Sequence, residues 1–160
     1  MESRRMSFQG GDPPPQAIQL VHDMIQSYNC FDAWDYEPQD IWSYRDDDCL
    51  HEYIPAVYGN TGLSNSEYVT HYRTLRQSLD REGAHNFTME LDEIFASLNY
   101  DRIAVTTLCT AQYSSRQYVN ISCVFVLQFN PPCDRITHIH EHVGPFLQPF
   151  IGFAMPTGAA

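Results

Sequence analysis

Asp134-Arg-Ile-Thr-His-Ile-His-Glu-His-Val143 is the stretch whose reading decides the fold. It reads as a strand near the end of the chain, after Asn130-Pro-Pro132 and before Gly144 and Pro145. On a regular strand side chains alternate between faces, so His138, His140 and His142 share one face and Ile139, Glu141 and Val143 the other. Ile136 and Ile139 are three apart, and a regular strand cannot bury both. A bulge between them lines up Ile136, Ile139, Glu141 and Val143 and turns the His140 and His142 face the opposite way. In either facing, the strand carries several groups that exchange protons near neutral pH.

The chain upstream of this stretch, from about residue 86, also reads as strand. Phe87, Met89 and Leu91 alternate with Thr88, Glu90 and Asp92 within 86–98; 103–113 is rich in Val, Thr and Ile; 117–129 is a long apolar run. Turn signals at 99–102 and at Ser114-Ser115 join them into a meander of long antiparallel strands. Several runs are apolar on both faces, so helices are expected on one side of the sheet and a second cover, a partner subunit included, on the other.

Helices come first in the chain. Asp12 followed by Pro13, Pro14 and Pro15 is a helix start, and Ile18, Val21, Ile25 and Tyr28 recur at spacings of three and four, giving a helix over 14–29. Pro38 opens a short helix over 38–45 with Ile41 and Trp42 buried. The acidic run 46–48 reads as a solvated turn. Cys49 to Ile54 reads as a strand stopped by Pro55, with Cys49, His51 and Tyr53 on one face. Ser64-Asn-Ser-Glu67 is a capping box, behind which Tyr68, Tyr72, Leu75 and Leu79 form the apolar stripe of a third helix over 65–80. Helices followed by a long meander make an α+β plan, a strongly curved sheet folded around about three helices. The expected organisation is one domain over 14–144, a loose tail over 1–13 and a Pro- and Phe-rich tail over 145–160 packed along the outside.

Composition narrows the classes of function. The chain has 160 residues, 43% of them hydrophobic, which suits one domain with one core. A net charge of −11 disfavours nucleic acid and anionic membranes as partners. The five cysteines are odd in number and form no Cys-x-x-Cys, which suits reduced thiols in a cytoplasmic protein. No apolar h-region follows Arg4 and Arg5, and no segment approaches the ~20 apolar residues of a membrane span. A serine-nucleophile elbow, a phosphate loop and a dinucleotide fingerprint are all missing from the sequence.

Four stretches carry a family resemblance: Phe31-Asp-Ala-Trp34, Asp48-Cys-Leu-His-Glu-Tyr-Ile-Pro-Ala56, Asn65-Ser-Glu-Tyr68 and Asp134-Arg-Ile-x-x-Ile-x-Glu141. In order and spacing the chain resembles the nuclear transport factor 2-like superfamily. Within it the likeness is to small SnoaL-like proteins of fungal secondary metabolism, found with polyketide or meroterpenoid pathways. The resemblance implies a cone of helices packed in a bent sheet, a deep apolar pocket, and a homodimer through the outer face of the sheet. It also implies chemistry without a cofactor: cyclases, isomerases, dehydratases and hydrolases, beside non-catalytic binders.

A dry pocket with a few polar groups suits acid–base work on an apolar substrate, because desolvation shifts the pKa values of His and carboxyl groups. The expected catalytic groups are His51 and His140, exchanging protons with the substrate, with Glu141 on the same strand as His140. Tyr53 or Asn120 is expected to hold developing charge on oxygen. Tyr28, Trp34, Tyr72, Met89 and Phe125 are expected to shape the substrate site, with Asp92 and His138 as supporting polar groups. No metal is expected, since histidines two apart on a strand are ~7 Å apart and do not converge on one ion. The expected function is a cofactor-independent isomerase or cyclase acting on a small apolar polyketide- or terpenoid-derived intermediate. A ligand- or protein-binding module without chemistry and a dehydratase or hydrolase of the same fold are the alternatives.

Overall fold

The computed structural model describes residues 13–29, 41–54, 62–97, 101–113 and 117–144. Helix α1 (Pro15–Asn29) starts on the carbonyl of Pro14, which accepts from the backbone N–H groups of Ala17 and Ile18. It buries Leu20, Val21, Met24, Ile25 and Tyr28, the stripe its periodicity announces. Asp12 lies outside the described residues.

Helix α2 (Ile41–Tyr44) has a single turn, so Ile41 and Tyr44, three apart, share its inner side. Trp42 is on the other side and is 58% exposed, which corrects the expectation that it is buried.

Strand β1 (Arg45–Ile54) follows directly. The acidic run 46–48 is therefore strand, not turn. The Asn65 side-chain amide donates to the carbonyls of Asp46 at 2.8 Å and Asp47 at 3.2 Å, which holds the stretch extended. Beyond it, Cys49, His51 and Tyr53 are buried in alternation as expected. Helix α3 (Asn65–Arg81) carries the full capping box of Ser64 and Glu67 and ends before Gly83, whose φ of +85° suits glycine.

Strands β2 (Ala84–Ala96), β3 (Arg102–Tyr113), β4 (Gln117–Phe129) and β5 (Ile136–His142) form the expected antiparallel meander. The sheet order is β1-β5-β4-β3-β2, and β1 joins parallel to β5, so the sheet is mixed and not antiparallel throughout. Bulges bend it. One lies in β2 at Asp92, between the pairs Leu91–Thr107 and Glu93–Thr106. Another lies at Thr137, because Phe129 pairs with Ile136 while the next residue back, Gln128, pairs with His138. Thr137 is the extra residue that lets Ile136 and Ile139 share the buried face with Glu141 and Val143. The turn before β5 is set by Asn130, whose side-chain oxygen accepts from the backbone of Asp134 and Arg135.

Helix α1 packs against β2, and α3 against β1 and β2, on the face that buries Val105, Phe125, Leu127 and Ile139. On the other face Leu50, Ile54, Leu108, Val124 and Val126 are only half-buried. The fold is α+β, a curved five-stranded sheet holding helices in its concavity.

Candidate active site

Parallel pairing of β1 and β5 sets His51 beside Ile139 and Tyr53 beside Glu141. Because facing alternates along both strands, His51, Tyr53 and Glu141 all point into the concavity. There His51 Nε2 lies 2.8 Å from Glu141 Oε2, and His51 Nδ1 lies 3.0 Å from an Arg45 guanidinium nitrogen. These three polar side chains are deeply buried, with exposures of 1% for Arg45, 0% for His51 and 6% for Glu141.

The chain of contacts determines its own protonation. A guanidinium only donates, so His51 Nδ1 must accept. The ring proton then sits on Nε2 and is donated to Glu141. The His51 ring is held in that orientation by stacking on Tyr68, with ring centroids 4.5 Å apart and planes 17° from parallel. The Arg45 guanidinium covers the same Tyr68 ring at 3.9 Å and also donates to Asn65 Oδ1 at 3.5 Å.

Burial pushes the imidazole of His51 well below its usual range, and the Arg45 charge, His71 and His140 push the same way, so His51 is neutral. Burial raises the Glu141 carboxyl to about 8; neighbouring Cys109 adds to the rise and Arg45 opposes it. Glu141 is thus a carboxyl group balanced between acid and base close to neutral pH.

Glu141 lines a cavity that is open on one side, with about 20 Å³ of room for the centres of water-sized molecules. The walls are Tyr28, Tyr53 and Tyr72, the apolar side chains Leu75, Leu79, Phe87 and Met89, the thiols Cys109 and Cys123, and Arg76. Tyr68 donates to the Tyr28 hydroxyl at 2.9 Å, and the Tyr53 hydroxyl lies 2.9 Å from His71 Nε2. The sulfurs of Cys109 and Cys123 are 3.9 Å apart, on neighbouring strands.

The expected site residues divide sharply. His51, Tyr53 and Glu141 meet in the concavity, with Tyr28, Tyr72 and Met89 around the cavity and Phe125 packed on Tyr28 at 5.8 Å between centroids. His140 does not join them. The Thr137 bulge puts it on the opposite face, where its Nε2 lies 3.3 Å from Glu52 Oε2 and its side chain is 28% exposed. His138 sits beside it, edge-on at 6.5 Å. The expected pairing of His51 with His140 is therefore corrected: the partner of His51 is Glu141. Asp92 occupies the β2 bulge and is exposed, 3.4 Å from the Thr106 hydroxyl that donates to it, and it does not line the cavity. Asn120 pairs with Thr110 along β4, and its side chain lies outside what the structure describes. Trp34 lies outside the described residues.

Sequence reading missed Arg45, Tyr68, His71 and Arg76 as polar neighbours of the site. Arg45 had a signal, its even spacing from His51, concealed because the acidic run after it reads as a turn. Among the described residues no three His, Cys, Asp or Glu are grouped to hold a metal, and no helix is long and apolar enough to cross a membrane.

No family model and no curated protein matches the sequence. Solved structures do. PrhC from Penicillium brasilianum superposes with a TM-score of 0.62 at 13% identity, covering 87% of this chain and 89% of that one. The BvnE pinacolase from Penicillium brevicompactum gives a TM-score of 0.62 at 18% identity over 87% of this chain and 90% of its own. A SnoaL-like polyketide cyclase from Jannaschia sp. CCS1 gives a TM-score of 0.62 at 13% identity over 92% and 99%. With its meander, its parallel first strand and its helix-filled concavity, the chain has the SnoaL-like form of the nuclear transport factor 2-like fold.

Proposed function

We propose that this protein is a cofactor-independent isomerase or cyclase, acting by proton transfer on an apolar polyketide- or terpenoid-derived intermediate, with Glu141 as its acid–base group. The observation that carries the reading is the buried line Arg45–His51–Glu141, ending at a cavity wall. His51 occupies Oε2 of Glu141 and leaves Oε1 to exchange a proton with a bound molecule. A carboxyl group raised to about 8 is a far stronger base than an ordinary one and still ionises at working pH. Arg45 and His51 are positioning residues: the first sets the tautomer of the second, and the second aims the carboxyl. Aromatic and aliphatic walls exclude water, as a carbanion- or enolate-like state requires. The fold is shared with a pinacolase and a polyketide cyclase, which supports the class of chemistry and leaves the substrate open.

The half-buried outer face of the sheet, with Leu108, Val124 and Val126, supports a homodimer formed through it. The protein would work in the cytoplasm, where its thiols stay reduced.

The test is Glu141→Gln, which keeps the shape and the hydrogen bond from His51 while removing the titratable group. Turnover of the intermediate, followed by mass spectrometry in extracts of the producing organism, should fall at least a hundredfold with the fold unchanged by circular dichroism. Full turnover in that variant removes Glu141 from the mechanism and the proposal with it.

A further inference from the structure

Cys109 on β3 and Cys123 on β4 bring their sulfurs to 3.9 Å. They are not directly opposite each other: Cys109 pairs with Ile121 and Cys123 with Thr107, so the two are diagonal neighbours on the buried face of the sheet. Both are free thiols, 0% and 1% exposed, and both line the cavity together with Glu141. The other described cysteines differ. Cys49 is buried away from the cavity wall, and burial pushes its thiol up to about 11. Cys133 lies in the turn before β5. Within the pair the sulfurs are not equivalent. The Cys123 thiol holds Cys109 below its usual range, with burial opposing and Thr107, its hydroxyl oxygen 3.8 Å away, assisting. Cys109 and burial together push Cys123 up. Cys109 is therefore the sulfur that ionises first, with a protonated thiol beside it.

We propose that Cys109 and Cys123 form an oxidisable dithiol site in the cavity wall, and that the oxidant it takes is hydrogen peroxide, entering by the cavity. The cavity opens on one side and has room for water-sized molecules, the size class of hydrogen peroxide. The Cys109 thiolate attacks one peroxide oxygen, the O–O bond breaks, and the departing hydroxide takes up the proton that Cys109 released, forming water. Cys109 is then a sulfenic acid. Cys123 attacks the Cys109 sulfur, the S–O bond breaks, and the hydroxyl leaves with the Cys123 proton as a second water. Two thiols are oxidised to one disulfide, and one hydrogen peroxide is reduced to two waters. The sulfurs must close from 3.9 Å to about 2 Å, which takes rotation of both side chains and a small approach of β3 to β4. The bond also consumes the sulfur that adds to the rise of Glu141, so oxidation alters the acid–base group on the same wall.

The test treats the native protein with hydrogen peroxide, blocks the remaining thiols with N-ethylmaleimide during unfolding, and maps the peptides by mass spectrometry without reduction. Wild type should lose the mass of two hydrogens and yield peptides bridged between Cys109 and Cys123, which dithiothreitol returns to free thiols. Cys123→Ala, shown to be folded by circular dichroism, should form no bridge and should carry a sulfenic acid on Cys109 that dimedone traps. The route is tested with oxidised glutathione, a far bulkier oxidant. Relative to protein unfolded in urea, the native pair should be slowed at least tenfold more toward oxidised glutathione than toward hydrogen peroxide. Peroxide that oxidises Cys133 and leaves both cavity thiols free overturns the proposal, and wild type alone decides this. Folded Cys123→Ala without a dimedone adduct on Cys109 overturns it as well. Equal slowing toward the two oxidants means that the thiols are reached by opening of the sheet, and overturns entry through the cavity.

Discussion

His51 and Glu141 are shifted in opposite directions, and the pH dependence of stability follows from both. Glu141 is raised in the folded state, from 4.5 to about 8, so the fold favours its protonated form. Its contribution is complete below about pH 4.5 and is lost as pH climbs through 8. His51 is lowered from 6.5, so its contribution is complete above pH 6.5 and is lost as pH falls below it. Between pH 4.5 and 6.5 the two slopes oppose each other; from 6.5 to 8 only that of Glu141 remains. Denaturant titrations should therefore show wild type losing about 2 kcal/mol between pH 6.5 and 8, while Glu141→Gln stays flat over that interval. An equal loss in both proteins refutes the assignment. Arg45 opposes the upward shift of Glu141, so Arg45→Met should move the alkaline rise of turnover to higher pH, in addition to slowing it. A slower rate on an unmoved profile would mean that Arg45 acts through packing on Tyr68 alone. At this scale the sequence disclosed His51, Tyr53 and Glu141 as polar groups on strands. It did not disclose which of them touch, because contact depends on the register of two strands 90 residues apart in the chain.

Among the elements, β5 decides which side chains enter the concavity. Deleting Thr137 removes the bulge and leaves Ile136 and Ile139 two apart, so a regular strand still buries both, with Glu141 inward and His140 outward. Since Ile139 stays buried, the deletion variant should keep cooperative melting. An inward His140 in that variant would mean that the hydrophobic pattern does not set the register. Helix α3 carries Tyr72 and Arg76, and its first turn depends on the capping box at Ser64. Ser64→Ala should cost about 1 kcal/mol in denaturant titrations and leave turnover nearly unchanged, because the cap lies two turns from Tyr72. Element identity was legible here: periodicity located α1 and α3, and alternation located the meander. The acidic run was misread because three aspartates predict solvation, and solvation is met equally well on the exposed edge of a strand whose carbonyls Asn65 holds.

The whole molecule is a sheet with one face filled by its own helices and one face half-covered. If the half-covered face pairs two copies, Val124→Arg together with Val126→Asp should convert a dimer to a monomer in light scattering without unfolding it. Both residues are half-buried on β4, facing away from the helices, so neither substitution puts a charge in the core. A wild type that is monomeric at micromolar concentration disposes of the pairing.

Patterning alone determined the helices, the meander and the α+β class, because apolar periods of 3.6 and 2 are local properties that burial then enforces. It left two facings of the histidine strand open: the Ile136–Ile139 spacing points to a bulge between them, and only the pairing of Gln128 with His138 places the extra residue at Thr137. Nor could it place β1, whose parallel partner arrives at the far end of the chain. Only the tertiary structure decided that Arg45, His51 and Glu141 stand in line and that Tyr72 faces the same hollow. Hydrogen bonds of 3 Å form where folding has already brought distant segments together, and their partners are written in no single stretch.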